Sequence, residues 1–172
     1  MADMKIFRKI LRTGVITEPL PQAEPEVERL GAQISELIRR RYRGSLAIRM
    51  VDAGSCNACE LEIHALNNPY YDLERFGIHF VASPRHADML LVTGPVTRNM
   101  ETALKMTLAA VAEPILVVAV GDCAACGGEF GASYASLGAV HNVIPVNAVI
   151  RGCPPTPLSL LQGLLAILGR QP

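Results

Sequence analysis

From residue 45 onward the chain is assembled from short, unbroken apolar runs: "SLAIRMVDAG", "IHFVAS", "ADMLLVTG", "EPILVVAVGD" and "VIPVNAVIRG", each closing on Gly, Ser or Asp. Strands wetted on one face alternate apolar and polar side chains, whereas continuous runs belong to strands covered on both faces. Helical patterns lie between or after these runs, at about residues 59 to 67, 99 to 112 and 155 to 168. Strand and helix in that alternation predict an α/β fold, a doubly wound parallel sheet. The last helix is expected to open in the proline-rich stretch after Cys153 and to end at Gly169. No internal repeat or low-complexity tract interrupts the pattern.

The chain of 172 residues suits one domain with an extra arm. We divide it at residue 44: an N-terminal amphipathic, helical arm and linker over 1–44, and a sheet domain over 45–172. In "MKIFRKILRTG", Ile6, Phe7, Ile10 and Leu11 fall on one helical face and Lys5, Arg8, Lys9 and Arg12 on the other. Such a segment suits a membrane surface, a partner's groove or a frayed solvated terminus, and the residues leave all three open. A Pro-containing linker, "TEPLPQAEP", follows. Then Val27, Leu30, Ile34, Leu37 and Ile38 recur at helical spacing, ahead of an Arg39-Arg40-Arg41 run expected at a solvated helix end.

Sixteen basic residues balance 16 acidic ones, so nothing here concentrates positive charge as a nucleic-acid surface requires. No run reaches the roughly 18 apolar residues of a membrane span, and the start lacks the apolar core of a secretory signal. A cytoplasmic location is expected.

In a cytosolic chain, five cysteines point to metal ligation, a redox pair or buried bystanders rather than to disulfides. Their positions on the expected sheet narrow this. Cys56 and Cys59 follow the first strand, Cys123 and Cys126 follow "PILVVAVGD", and Cys153 follows "VIPVNAVIRG". All lie just past a strand's carboxyl end, the edge along which open parallel sheets bind ligands. Convergent thiolates without carboxylates suit soft metals, either zinc or an iron–sulfur cluster. A zinc site built from the two C-x-x-C pairs would leave Cys153 idle, and "GCPP" has the Cys-Pro context of cluster-binding runs. A thiol–disulfide pair is the third possibility. Spacing alone does not choose between Cys123 and Cys126.

The motifs "SCNACELEI", "ASPRHADMLLVTGPVTRNM", "VVAVGDCAACGGEF" and "VIRGCPPTPLSLLQGLL", in this order over about residues 45 to 168, resemble the small subunit of membrane-bound, energy-converting [NiFe] hydrogenases. They also resemble its relative in the quinone-reducing respiratory complex I. The resemblance implies a flavodoxin-like sheet holding one [4Fe–4S] cluster on Cys56, Cys59, Cys123 and Cys153, with Cys126 a spare thiol. It implies as partners a large nickel–iron subunit, a ferredoxin-like iron–sulfur subunit and membrane-arm subunits. The location implied is peripheral, on the cytoplasmic face of the membrane. Complex I subunits carry two adjacent cysteines at the first position; here Asn57 and Ala58 intervene, which is hydrogenase-like. A related quinone- or polysulfide-reducing complex is the alternative.

Further residues carry expectations of their own. By the same resemblance Glu62 matches an acidic position suited to proton movement at a subunit interface, while Glu60 reads as a solvated or interface charge. Gly121, Gly127, Gly128 and Gly152 either donate N–H bonds to sulfur or simply permit tight turns. Arg85 and His86 fit a loop salt bridge or a positive charge near the cluster. His64 and His141 read as packing or surface residues, and Thr97 or Asn99 as the cap of the helix that follows.

Overall fold

The computed structural model describes residues 2–14 and 24–170. Most of the expected Pro-containing linker lies outside the described residues. Five parallel strands form one sheet in the order β2-β1-β3-β4-β5: β1 (Leu46–Asp52), β2 (Ile78–Phe80), β3 (Met89–Thr93), β4 (Leu116–Val120) and β5 (Ala148–Ile150). This is the flavodoxin-like order, with its reversal between β1 and β3. Register is continuous across the centre, Ile48 opposite Met89 and Val118 opposite Ala148.

Continuous apolar runs give a sheet buried on both faces, and the side chains divide as strand geometry demands. On one face Ile48, Met89, Leu91, Val118 and Val120 pack against α2 (Pro25–Arg41), α3 (Ala58–Ala65) and α6 (Pro157–Arg170). On the other, Val51, Leu90, Val92, Val117 and Ala119 pack with α4 (Arg98–Ala110) and α5 (Asp122–Cys126). Alternate residues of β3 and β4 serve opposite layers, so both strands are buried throughout, and the one polar side chain, Thr93 at the end of β3, donates to the Val51 carbonyl at 3.3 Å.

The segment before residue 45 divides in two. Helix α2 places Val27, Leu30, Ile34 and Ile38, all at most 3% exposed, in the same core as α6. Pro25 starts it with a fixed φ and no wasted N–H, and acids in its first turn and arginines in its last suit the helix dipole. Removing a side chain such as Ile34 from this layer would cost about 2–5 kcal/mol. Arg39 and Arg40 pair with Glu36 at the surface, whereas Arg41 donates from Nη1 to the Leu168 carbonyl at 2.7 Å and ties α2 to α6. By contrast, α1 (Ala2–Thr13) is exposed over residues 5–14.

The expected elements shift at their ends. Helix α6 begins at Pro157 and continues through Gly169 to Arg170, so that glycine does not end it. Strand β5 is only three residues long, because the earlier part of "VIPVNAVIRG" is irregular. Thr97 holds the N-cap position of α4 without capping it; its hydroxyl donates instead to the Ala53 carbonyl at 3.2 Å. Among the described residues no helix is long and apolar enough to cross a membrane.

Candidate metal centre

Three loops at the carboxyl edge of the sheet bring the cysteines together. The first leaves β1 through a tight turn in which Asp52 Oδ1 accepts from the N–H groups of Gly54 and Ser55, both at 2.7 Å. Ser55 Oγ then accepts from the Asn57 N–H at 2.9 Å, and Asn57 adopts the left-handed conformation that starts α3. Cys56 lies in this turn, and Cys59 in the first turn of α3. The loop after β3 is pressed against it: a Cβ on Gly94 would lie 2.4 Å from the Ser55 nitrogen.

The loops after β4 and β5 are fastened to each other. Gly121 N–H donates to the Ile150 carbonyl at 2.8 Å and Asp122 N–H to the Gly152 carbonyl at 2.9 Å. Gly152 N–H returns a bond to Asp122 Oδ1 at 3.3 Å. These bonds set the start of α5, with Cys123, beside the turn that carries Cys153. For three of the glycines they also decide between the two readings, in favour of the tight turn. The N–H groups of Gly121 and Gly152, and that of Gly127, which donates to the Cys123 carbonyl, are engaged with oxygen rather than sulfur.

What these glycines contribute is space. At Gly121, with φ at +88°, a Cβ would stand 2.6 Å from Cys59 Sγ; at Gly128 it would stand 2.6 Å from Cys123 Sγ. Bare backbone therefore walls the two innermost sulfurs, and any side chain would fill the cradle. Burial pushes the Cys59 thiol up to about 12, reinforced by Glu60, Cys56, Cys123 and Cys153. Burial also raises Cys123, followed by Cys153, Cys56, Asp122 and Cys126. Sulfurs from all three loops thus lie within electrostatic reach of one another. Cys126 is one turn beyond Asp122; its exposed thiol donates to the Asp122 carbonyl at 3.2 Å, and it is absent from the groups acting on Cys59.

The donor set is soft, and only bare backbone lets Cys59 Sγ and Cys123 Sγ approach Gly121 and Gly128 this closely. Among the described residues no three His, Cys, Asp or Glu side chains close on a point able to hold a single metal ion. Cys56 and Cys153 are exposed, Cys123 is half-buried and Cys59 buried, so the group opens to the surface.

One of the two acidic residues departs from expectation. Glu60 is not a solvated charge: it is 2% exposed, its Oε2 accepts from Ser55 Oγ at 2.6 Å, and its Oε1 is buried with no hydrogen-bond partner. Glu62 is half-buried and has no hydrogen bond or ion pair among the described residues. The signal for Glu60 was the Ser five positions earlier, which only the turn brings back to it. Arg85 and His86 sit exposed in a 3-10 turn and make no ion pair among the described residues, while His64 and His141 are at the surface.

The chain thus joins a flavodoxin-like sheet to a group of thiols at its carboxyl edge, and its relatives are subunits of oxidoreductase complexes. Residues 56–167 match the family described as "NADH ubiquinone oxidoreductase, 20 Kd subunit". The chain is 40% identical over 142 residues to formate hydrogenlyase subunit 7 of Escherichia coli, covering 83% of this chain but 55% of that protein. It is also 40% identical over 143 residues to a probable membrane-bound hydrogenase subunit of Pyrococcus furiosus, covering 83% of this chain and 85% of that one. Among solved structures, a chain of the membrane-bound sulfane sulfur reductase, an archaeal respiratory membrane complex, aligns with a TM-score of 0.66 at 32% identity. That alignment covers 77% of this chain and 73% of the other. The chain belongs to the 20 kDa subunit family of NADH ubiquinone oxidoreductase, a family of oxidoreductase-complex subunits.

Proposed function

We infer that the chain is the electron-relay subunit of a membrane-associated [NiFe] hydrogenase complex, holding one [4Fe–4S] cluster on Cys56, Cys59, Cys123 and Cys153. The supporting observation is the close approach of bare backbone to two of the sulfurs: Cys59 Sγ lies against Gly121 and Cys123 Sγ against Gly128, where a Cβ would stand 2.6 Å from either sulfur. Thiols of Cys56, Cys123 and Cys153 all act on the Cys59 thiol, and an all-thiol donor set suits a soft guest such as an iron–sulfur cluster. Bound there, a cluster supplies one-electron storage and transfer. The residues of this chain hold it, bury one side of it, and fix the dielectric and hydrogen bonding that set its potential.

A large subunit with a nickel–iron site would cover the side on which the thiols of Cys56 and Cys153 are exposed. A ferredoxin-like subunit would exchange electrons with the cluster, and membrane-arm subunits would complete a peripheral assembly on the cytoplasmic face. Similarity to two hydrogenase-complex subunits supports hydrogen over quinone or polysulfide as the complex's substrate. Anaerobically purified protein should contain about four irons and four acid-labile sulfides per chain and give a paramagnetic signal on reduction. One zinc and no iron would overturn the cluster. A co-purifying large subunit without nickel would overturn the hydrogenase and leave the cluster standing.

A further inference from the structure

We propose that α1 binds the surface of an anionic lipid bilayer, lying in the interface with Ile6, Phe7, Ile10 and Leu11 among the acyl chains and Lys5, Arg8, Lys9 and Arg12 on the headgroups. The apolar four are 59%, 68%, 60% and 78% exposed, a contiguous apolar stripe that nothing in the folded body covers. Water is a poor solvent for that stripe, so the helix requires an apolar second phase or a partner.

Charge decides between them. Residues 5–14 contain four basic side chains and no acidic one. The whole chain carries 16 of each sign; with these four basic residues and Asp3, which also lies in α1, set aside, 12 basic residues remain to face 15 acidic ones. The body is therefore acidic and would be repelled by an anionic surface, and α1 is where the chain has gathered the opposite sign. Ile6, Phe7, Ile10 and Leu11 sit on one face, and the four basic residues on the face directly opposite. Long cationic side chains set opposite an apolar stripe can reach headgroups while their stems lie along the acyl boundary. Gly14 closes the helix in the left-handed conformation, its N–H donating to the Ile10 carbonyl at 3.0 Å, so the stripe ends where the helix does.

The test uses the full-length chain and sedimentation with vesicles of phosphatidylcholine, with or without phosphatidylglycerol. Binding should appear with the anionic lipid, weaken in high salt, and fall at least about tenfold in R8Q/K9Q/R12Q. The F7S/L11S variant should bind weakly even in low salt. Absence of binding to either vesicle, or equal binding to both, would overturn the proposal. An F7S/L11S variant that binds anionic vesicles as tightly as the parent would overturn it too, since the stripe would then not enter the bilayer. Iron and sulfide content reads the cluster separately, so the two assignments fail independently.

Discussion

Ser55 Oγ donates a 2.6 Å hydrogen bond to Glu60 Oε2 across the short loop that carries Cys56 and Cys59. The same oxygen accepts from the Asn57 backbone, so one hydroxyl joins the turn to the helix and holds the cysteine pair open from both ends.

Replacing Ser55 by Ala removes that joint and leaves both Glu60 oxygens in a buried site without a donor. A loss of about 1–3 kcal/mol is expected in urea unfolding, with most of it recovered by Ser55→Thr. If Ser55→Ala unfolds at the parent midpoint, the hydroxyl does not hold the loop.

Gly121→Ala and Gly131→Ala separate crowding from backbone strain. Both glycines have positive φ, +88° and +52°, but an added methyl meets Cys59 Sγ at Gly121 and nothing within 4 Å at Gly131. Gly131→Ala should cost about 1–2 kcal/mol and keep its iron. Gly121→Ala should add roughly 1–3 kcal/mol of steric cost and lose iron in metal analysis.

Among the cysteines, Cys153→Ser should lower iron content to background and abolish the reduced-state resonance, while Cys126→Ser should leave both at the parent level. The reverse pair of results would exchange their roles.

The apoprotein should lose stability at high pH. An unfolded Cys59 thiol ionises near its ordinary value of 9.0, whereas burial holds the folded thiol up to about 12. Between those values the unfolded chain binds fewer protons than the folded one, so stability is full below about pH 9 and falls as pH rises toward 12. Chemical unfolding across that range should show the decline, and Cys59→Ala should flatten it.

The sheet was readable because β4 is apolar throughout and β3 up to its terminal Thr93, a continuous pattern that coverage on both faces explains. The place of the cysteines followed from it, since a residue just past a parallel strand has one edge on which to lie. Helix α5 was not readable: five residues are too few for a periodicity, and its start depends on bonds from Asp122 to Gly152. Glu60 was misjudged because burial of a carboxyl depends on who meets it in space. Helix α2 carried a clear apolar stripe, but nothing local told whether the stripe met the sheet or solvent.

The fastening of the β4 turn to the β5 turn has a consequence for biogenesis. Gly121 and Asp122 have no acceptors until Ile150 and Gly152 have emerged and paired. A nascent chain still missing its last strand holds two thirds of a cradle and no rim. Insertion of the proposed cluster would then have to wait for the chain beyond β5, so that a filled cradle would report that the C-terminal strand has taken its place.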